Sequence, residues 1–395
     1  MADARTDQRP GRRRATPEPR PIRRRAHRPA VPATPVDTGP QRSLRIDPDS
    51  RTGHDLETPE PSPPPKPPRA RRWTRWLVRV LWVVLTLGGL AACVSAWTSL
   101  EVPDVTPTVG AVVLTTTLSF ALAVRTGGRP LVVAVAAAAL AAGAVVSDLP
   151  VLVAAVAVST AVIGAVLGVM VTTPAARFPG VVRECLLAVL VAVVASFAVD
   201  AFDAQVSPMR AGYLVLGLSL LGALALAYRL AAGLHGLGRR GLVMVVTGVG
   251  LLAVSLAYTQ ALATWGSPEL RGSFDDATRM LRDTVGAVPR PVEFLLGIPA
   301  LAWGVSTRAR RRQGWWGTAF GASGLAVVTV TLLDPDLSLV EAGLRTAYSL
   351  VVGLLLGYLL IRADRFFSGA RGRRARRLEE AAAHRPEPGR THPLL

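Results

Sequence analysis

Cysteine is scarce: two in 395 residues, Cys93 and Cys185, each inside an apolar run. A disulfide framework and a Cys/His metal spacing are therefore excluded, and both thiols read as small apolar packing residues. All five histidines, His27, His54, His235, His384 and His392, lie outside the apolar runs. None is placed for a proton relay within a bilayer. Lysine is reduced to Lys66, the other 44 of the 45 basic residues being arginine. Aromatics make up only 6% of the chain while hydrophobic residues reach 50%, so the apolar surplus is carried by Ala, Val and Leu. A glycine-rich phosphate loop, G-x-S-x-G and H-E-x-x-H are all missing, so no motif assigns a reaction, a cofactor or a metal.

What is present separates along the chain. Residues 1–75 hold 18 basic and 9 acidic side chains and residues 362–395 hold 9 and 4, so the two ends supply most of the net charge of +18. Sixteen of the 31 prolines precede Arg75, and apolar residues there are scattered singly. Such a segment cannot bury enough apolar surface to offset its ordering entropy, and 1–75 is expected to be a disordered, Arg/Pro-rich cytoplasmic tail. It is too long and too polar for a secretory signal, because no apolar core appears before Trp76. Arg71–Arg72 reads as a membrane flank rather than a twin-arginine signal.

The middle of the chain, 76–361, is expected to be an all-α, polytopic integral membrane domain. Apolar runs of about 20 residues, long enough for a hydrocarbon core of about 30 Å, occur at 76–98, 105–124, 130–147, 151–172, 183–201, 211–232, 241–264, 291–306, 314–333 and 342–361. That makes about ten transmembrane helices. The third is Ala-rich, but its leucines and valines favour insertion by about 2 to 4 kcal/mol with no charge opposing them.

Arginines orient the spans, because Arg-rich short loops resist translocation. One set of turns holds Arg125 and Arg129, Arg177 and Arg183, Arg229, Arg239 and Arg240, and Arg308 and Arg310–Arg312, with Glu184 as its only acid. The alternate set is acidic, from Glu101 and Asp104 through Asp200 and Asp203 to Asp334 and Asp336. The expected protein is thus a multi-pass cell-membrane protein with both termini cytoplasmic and residues 362–395 a basic cytoplasmic tail. Trp73, Trp76, Trp97, Trp265, Trp303, Trp315 and Trp316 fall near span ends, where indoles anchor at the interface.

Ionisable groups near membrane depth are the site candidates. Arg79 and Arg229 can snorkel to the near surface. Glu341 and Arg345 share a helical face and form either a cavity-lining pair within the membrane or a pair at the outer surface. Glu293 lies in the short eighth span, where Pro299 removes a backbone hydrogen bond near Leu295 and a kink is expected. Broken helices with an acidic residue are used at transporter sites. The 265–290 loop predicts an amphipathic surface helix capped by Ser273, with Asp275, Asp276 and Asp283 better explained by capping and solvation than by a divalent cation. Three Gly-x-x-x-Gly pairs, Gly164/Gly168, Gly317/Gly321 and Gly353/Gly357, predict close helix packing within the chain.

The resulting expectation is a non-enzymatic, permease-like or envelope-associated membrane protein, with Glu341, Arg345 and Glu293 as its polar candidates. One alternative is a scaffold that recruits a cytoplasmic protein partner through the Arg/Pro-rich tail. Another is a membrane-embedded transferase on a lipid-linked substrate, with Asp275, Asp276 and Asp283 as its only candidates. The basic tails should contact anionic membrane lipids, and no specific nucleic acid is expected, since no folded DNA-binding motif accompanies the charge.

Overall fold

A computed structural model describes residues 69–99, 101–231, 238–265, 268–310, 314–368 and 387–395. The expected disordered segment 1–68 and the arginine run 371–377 lie outside the described residues. Everything described is helix or connection, with no strand among the described residues.

Proline sets several helix starts, since a residue lacking an N–H is tolerated in the first turn. This applies to α3 (Pro130–Ser147), α4 (Pro150–Val171), α5 (Phe178–Asp200) and α6 (Pro208–Leu230). Before them stand α1 (Arg69–Val94) and α2 (Val105–Arg125). After them come α7 (Gly238–Trp265), the surface helix α8 (Pro268–Val285), α9 (Ile298–Arg308), α10 (Gly314–Thr329) and α11 (Leu339–Ser368). Among the described residues, eight segments are long and apolar enough to cross a membrane, the shortest having 18 residues. At about 1.5 Å per residue that helix is about 27 Å long, close to a hydrocarbon core.

Of the two other expected spans, one is α7, a helix of 28 residues. Within α7 the described apolar stretch is only Val245–Val254. The segment ahead of α9 is a six-residue π-helical turn, Val292–Gly297, running into the 11-residue α9. At the position of the expected kink the chain widens into a π turn. Ile298 N–H bonds Glu293 O, five residues back, just before Pro299, which has no N–H to give.

Large and small side chains are distributed inside out. Leu131, Val135, Leu140 and Val146 on α3 are 68–86% exposed, whereas alanine is the commonest of the buried apolar residues. Water would penalise that exterior heavily; lipid tails would not, and close backbone approach then holds the helices together. Helix α10 runs through the middle and packs on α4, α5, α6, α7, α9 and the π turn. A Cβ on Gly164 would sit 2.3 Å from Ala195 Cβ, one on Gly321 would sit 2.8 Å from Leu301 Cδ1, and one on Gly353 would sit 2.6 Å from Ile298 Cβ. The glycine pairs therefore pack within the chain.

Two local expectations need correction. Helix α8 starts at Pro268, so Ser273 does not cap it; its hydroxyl donates back to Glu269 O at 2.9 Å. Trp315 and Trp316 are buried, at 4% and 6% exposure, because the glycine-rich face of α10 draws its first turn into the bundle. Trp73 and Trp76 do lie exposed on α1. Cys93 and Cys185 are buried free thiols.

Candidate functional site

The three polar candidates contribute to one constellation, at the bundle end that carries α8. Helix α8 stops at Gly286, whose φ of +80° permits the turn, and the chain then enters the π segment through Arg290. Arg290 is fastened at both ends. Its amide donates to Ser349 Oγ at 3.1 Å, and its Nη1 donates to Val327 O at 3.2 Å and to Thr331 Oγ1 at 3.0 Å. Glu293 follows on the π turn at 2% exposure, hydrogen-bonded by Ser349 and facing the guanidiniums of Arg290 and Arg345.

Glu341 closes the outer side of this group. Its Oε1 accepts from Arg345 Nη2 at 2.7 Å and forms an ion pair with Arg282 Nε, on α8, at 3.1 Å. With side chains 16% and 14% exposed, Glu341 and Arg345 are neither a free surface pair nor fully enclosed. Tyr348 Oη also donates to Val285 O at 2.8 Å, tying α11 to α8. Arg282, Arg290 and Ser349 were missed in the sequence, although Ser349 completes the spacing of Glu341 and Arg345 on one face of α11.

The opposite end holds charges that sequence reasoning left in turns. Arg125, Glu184 and Arg308 are 1%, 0% and 4% exposed. They are covered by a strap, residues 387–395, which returns from beyond α11 and lies across the ends of α2, α4 and α5. Arg125 Nε donates to Met170 O at 2.8 Å, and its Nη1 donates to Pro388 O, Gly389 O and His392 O at 2.9–3.2 Å. Leu394 N–H donates back to Arg125 O at 2.8 Å. Gly127, at φ +74°, leaves room for the chain, since a Cβ there would lie 2.6 Å from Leu395 O.

Glu184 accepts from Thr173 N–H at 2.8 Å, from Arg183 Nη2 at 2.9 Å and from Arg390 of the strap. Arg308 donates to Thr172 O at 2.8 Å, stacks over Trp315 at 4.0 Å and faces Glu387 at 3.8 Å. Burial raises the Glu387 carboxyl above its ordinary value, against the pull of the Arg308 and Arg125 guanidiniums. The strap thus supplies one charge of each sign to a socket holding both signs.

Of the aspartates of the transferase alternative, Asp276 and Asp283 lie exposed on α8. Asp276 pairs with Arg279 at 2.8 Å on the same exposed helix, and no group of three metal-ligating side chains occurs among the described residues. Helix α3 runs unbroken, so the interruption ahead of α9 has no counterpart there.

The fold and these clusters define an α-helical bundle with, among the described residues, eight helices long and apolar enough to span a membrane. No family model matches the chain, and no curated protein or solved structure gives a significant match.

Proposed function

We propose that this chain is a permease-like protein of the cell membrane, crossing it about ten times and handling a small polar solute at the Glu293 constellation. The observation that carries the reading is Glu293 itself: a carboxylate at 2% exposure on a π turn inside a short, interrupted helix. Burying an ionisable group is costly, and an irregular backbone at membrane depth is tolerated where it lines a cavity or contacts a solute. Arg290, Arg345 and Ser349 then act as the groups that hold or exchange the carboxylate's partner.

The orientation follows from arginine placement. The turns bearing Arg125, Arg177, Arg183 and Arg308 face the cytoplasm, as do residues 387–395, and the Glu293 constellation faces outward. Basic segments flanking the bundle rest on anionic lipid.

Opening can be tested without knowing the solute. Ser349 is 1% exposed, and the native cysteines are equally buried, so a Ser349→Cys chain starts from a low background. In proteoliposomes, a membrane-impermeant maleimide should label Ser349→Cys well above the parent chain, because a permease must expose its site in one of its states. Labelling no faster than that of Cys93 and Cys185 would overturn the reading.

A further inference from the structure

A cavity of about 810 Å³ lies between α1, α2, α4 and the strap, at the end opposite Glu293. Its volume is in the range of small-molecule sites. Its deep wall is apolar, formed by Trp82, Phe120, Val124, Leu167 and Val171. Its rim is polar and basic, formed by Arg79, Arg125, Arg390 and His392, and no acidic side chain lines it among the described residues.

The rim cations are unevenly satisfied. Arg390 is balanced by Glu184. Arg125 is 1% exposed, its bonded acceptors are all backbone carbonyls, and its Nη2 has no hydrogen-bond partner among the described residues. Among the described residues, Arg79 donates to the neutral Thr391 hydroxyl, at 3.0 Å. A buried guanidinium with an open donor, lining the same cavity as Arg79, calls for an anion. The apolar wall beneath calls for a hydrocarbon chain.

We propose that this cavity binds one anionic phospholipid, with its phosphate at Arg79 and Arg125 and an acyl chain against Trp82, Phe120 and Leu167. The strap forms the roof through Thr391 and His392, so the lipid is held inside the fold rather than among the bulk lipids around it. This site does not rest on the permease reading, and each can fail alone.

The test uses the full chain, purified and stripped of lipid, with retention read by native mass spectrometry. Dioleoylphosphatidylglycerol should be retained at one molecule per chain and about tenfold better than dioleoylphosphatidylcholine. Arg79→Gln should lower that retention roughly fivefold, the contribution of one cation near a phosphate. Val78→Trp, placed on an exposed residue that lines the cavity, should reduce retention of both lipids by filling it. Excess inorganic phosphate should not displace the lipid, since it brings no apolar part. Equal retention of the two lipids, unchanged retention in both variants, or displacement by inorganic phosphate would overturn the proposal.

Discussion

An Arg125→Ala chain is expected to release the strap. Arg125 Nη1 reaches three strap carbonyls, and its Nε holds Met170 O at the end of α4, so one guanidinium joins both sides of the contact. A hydrogen bond to a charged group contributes about 1.5–3 kcal/mol, and three bonds sharing one nitrogen will not add in full. A net loss of about 2–4 kcal/mol lowers the docking equilibrium constant by roughly 30- to 700-fold. Hydrogen exchange of the Leu394 amide, which bonds to Arg125 O, should accelerate by that order. Unchanged protection would show that the strap is held by other contacts.

Glu387→Gln provides the contrast. Burial raises the Glu387 carboxyl, so the socket holds its neutral form better than its charged one. By linkage, its favourable contribution to docking is fully present below the ordinary glutamate range and is lost as pH rises through the raised value. The amide should therefore leave Leu394 protected at neutral pH, and remove the part of the pH dependence that Glu387 carries.

The second large effect is expected where α10 meets the π turn. A Cβ on Gly297 would lie 2.3 Å from Gly324 Cα, and one on Gly324 would lie 2.8 Å from Gly297 Cα. Both obstacles are backbone, which cannot swing aside as a side chain can. Overpacking costs typically about 1–3 kcal/mol and more where nothing yields, so Gly297→Ala belongs at or above the top of that range. Because Gly297 ends the turn that carries Glu293, the same change displaces the site. Gly143→Ala is the control: a Cβ there meets nothing within 4 Å, so only the gain in helix propensity remains. Thermal unfolding of the purified chains should place Gly297→Ala well below the parent and Gly143→Ala at or slightly above it. Similar melting temperatures for the two variants would contradict the close contact.

Different parts of the site were legible to different degrees. Glu293 could be picked out because an acid and two prolines, Pro291 and Pro299, interrupt an apolar run, a property of the local sequence. Glu341 and Arg345 could be paired from helical spacing alone. Arg290 could not be added, because its partners Val327, Thr331 and Ser349 lie 37 to 59 residues away. Arg125 and Arg308 looked like loop arginines for a similar reason. Each stands at a helix end beside solvent in sequence, and only the returning 387–395 segment removes that solvent.

Sequence by itself determined the solvent of this protein: aliphatic runs of membrane length, arginine at alternate turns, and glycine and alanine where helices must approach closely. Those properties are local, and local hydropathy and residue size suffice to establish them. Tertiary structure decided that α10 is the central helix, that the interruption ahead of α9 becomes a π turn, and that a distant strap covers three charged residues. Each of these depends on which surfaces meet, and surfaces far apart in the chain meet only once the whole bundle is packed.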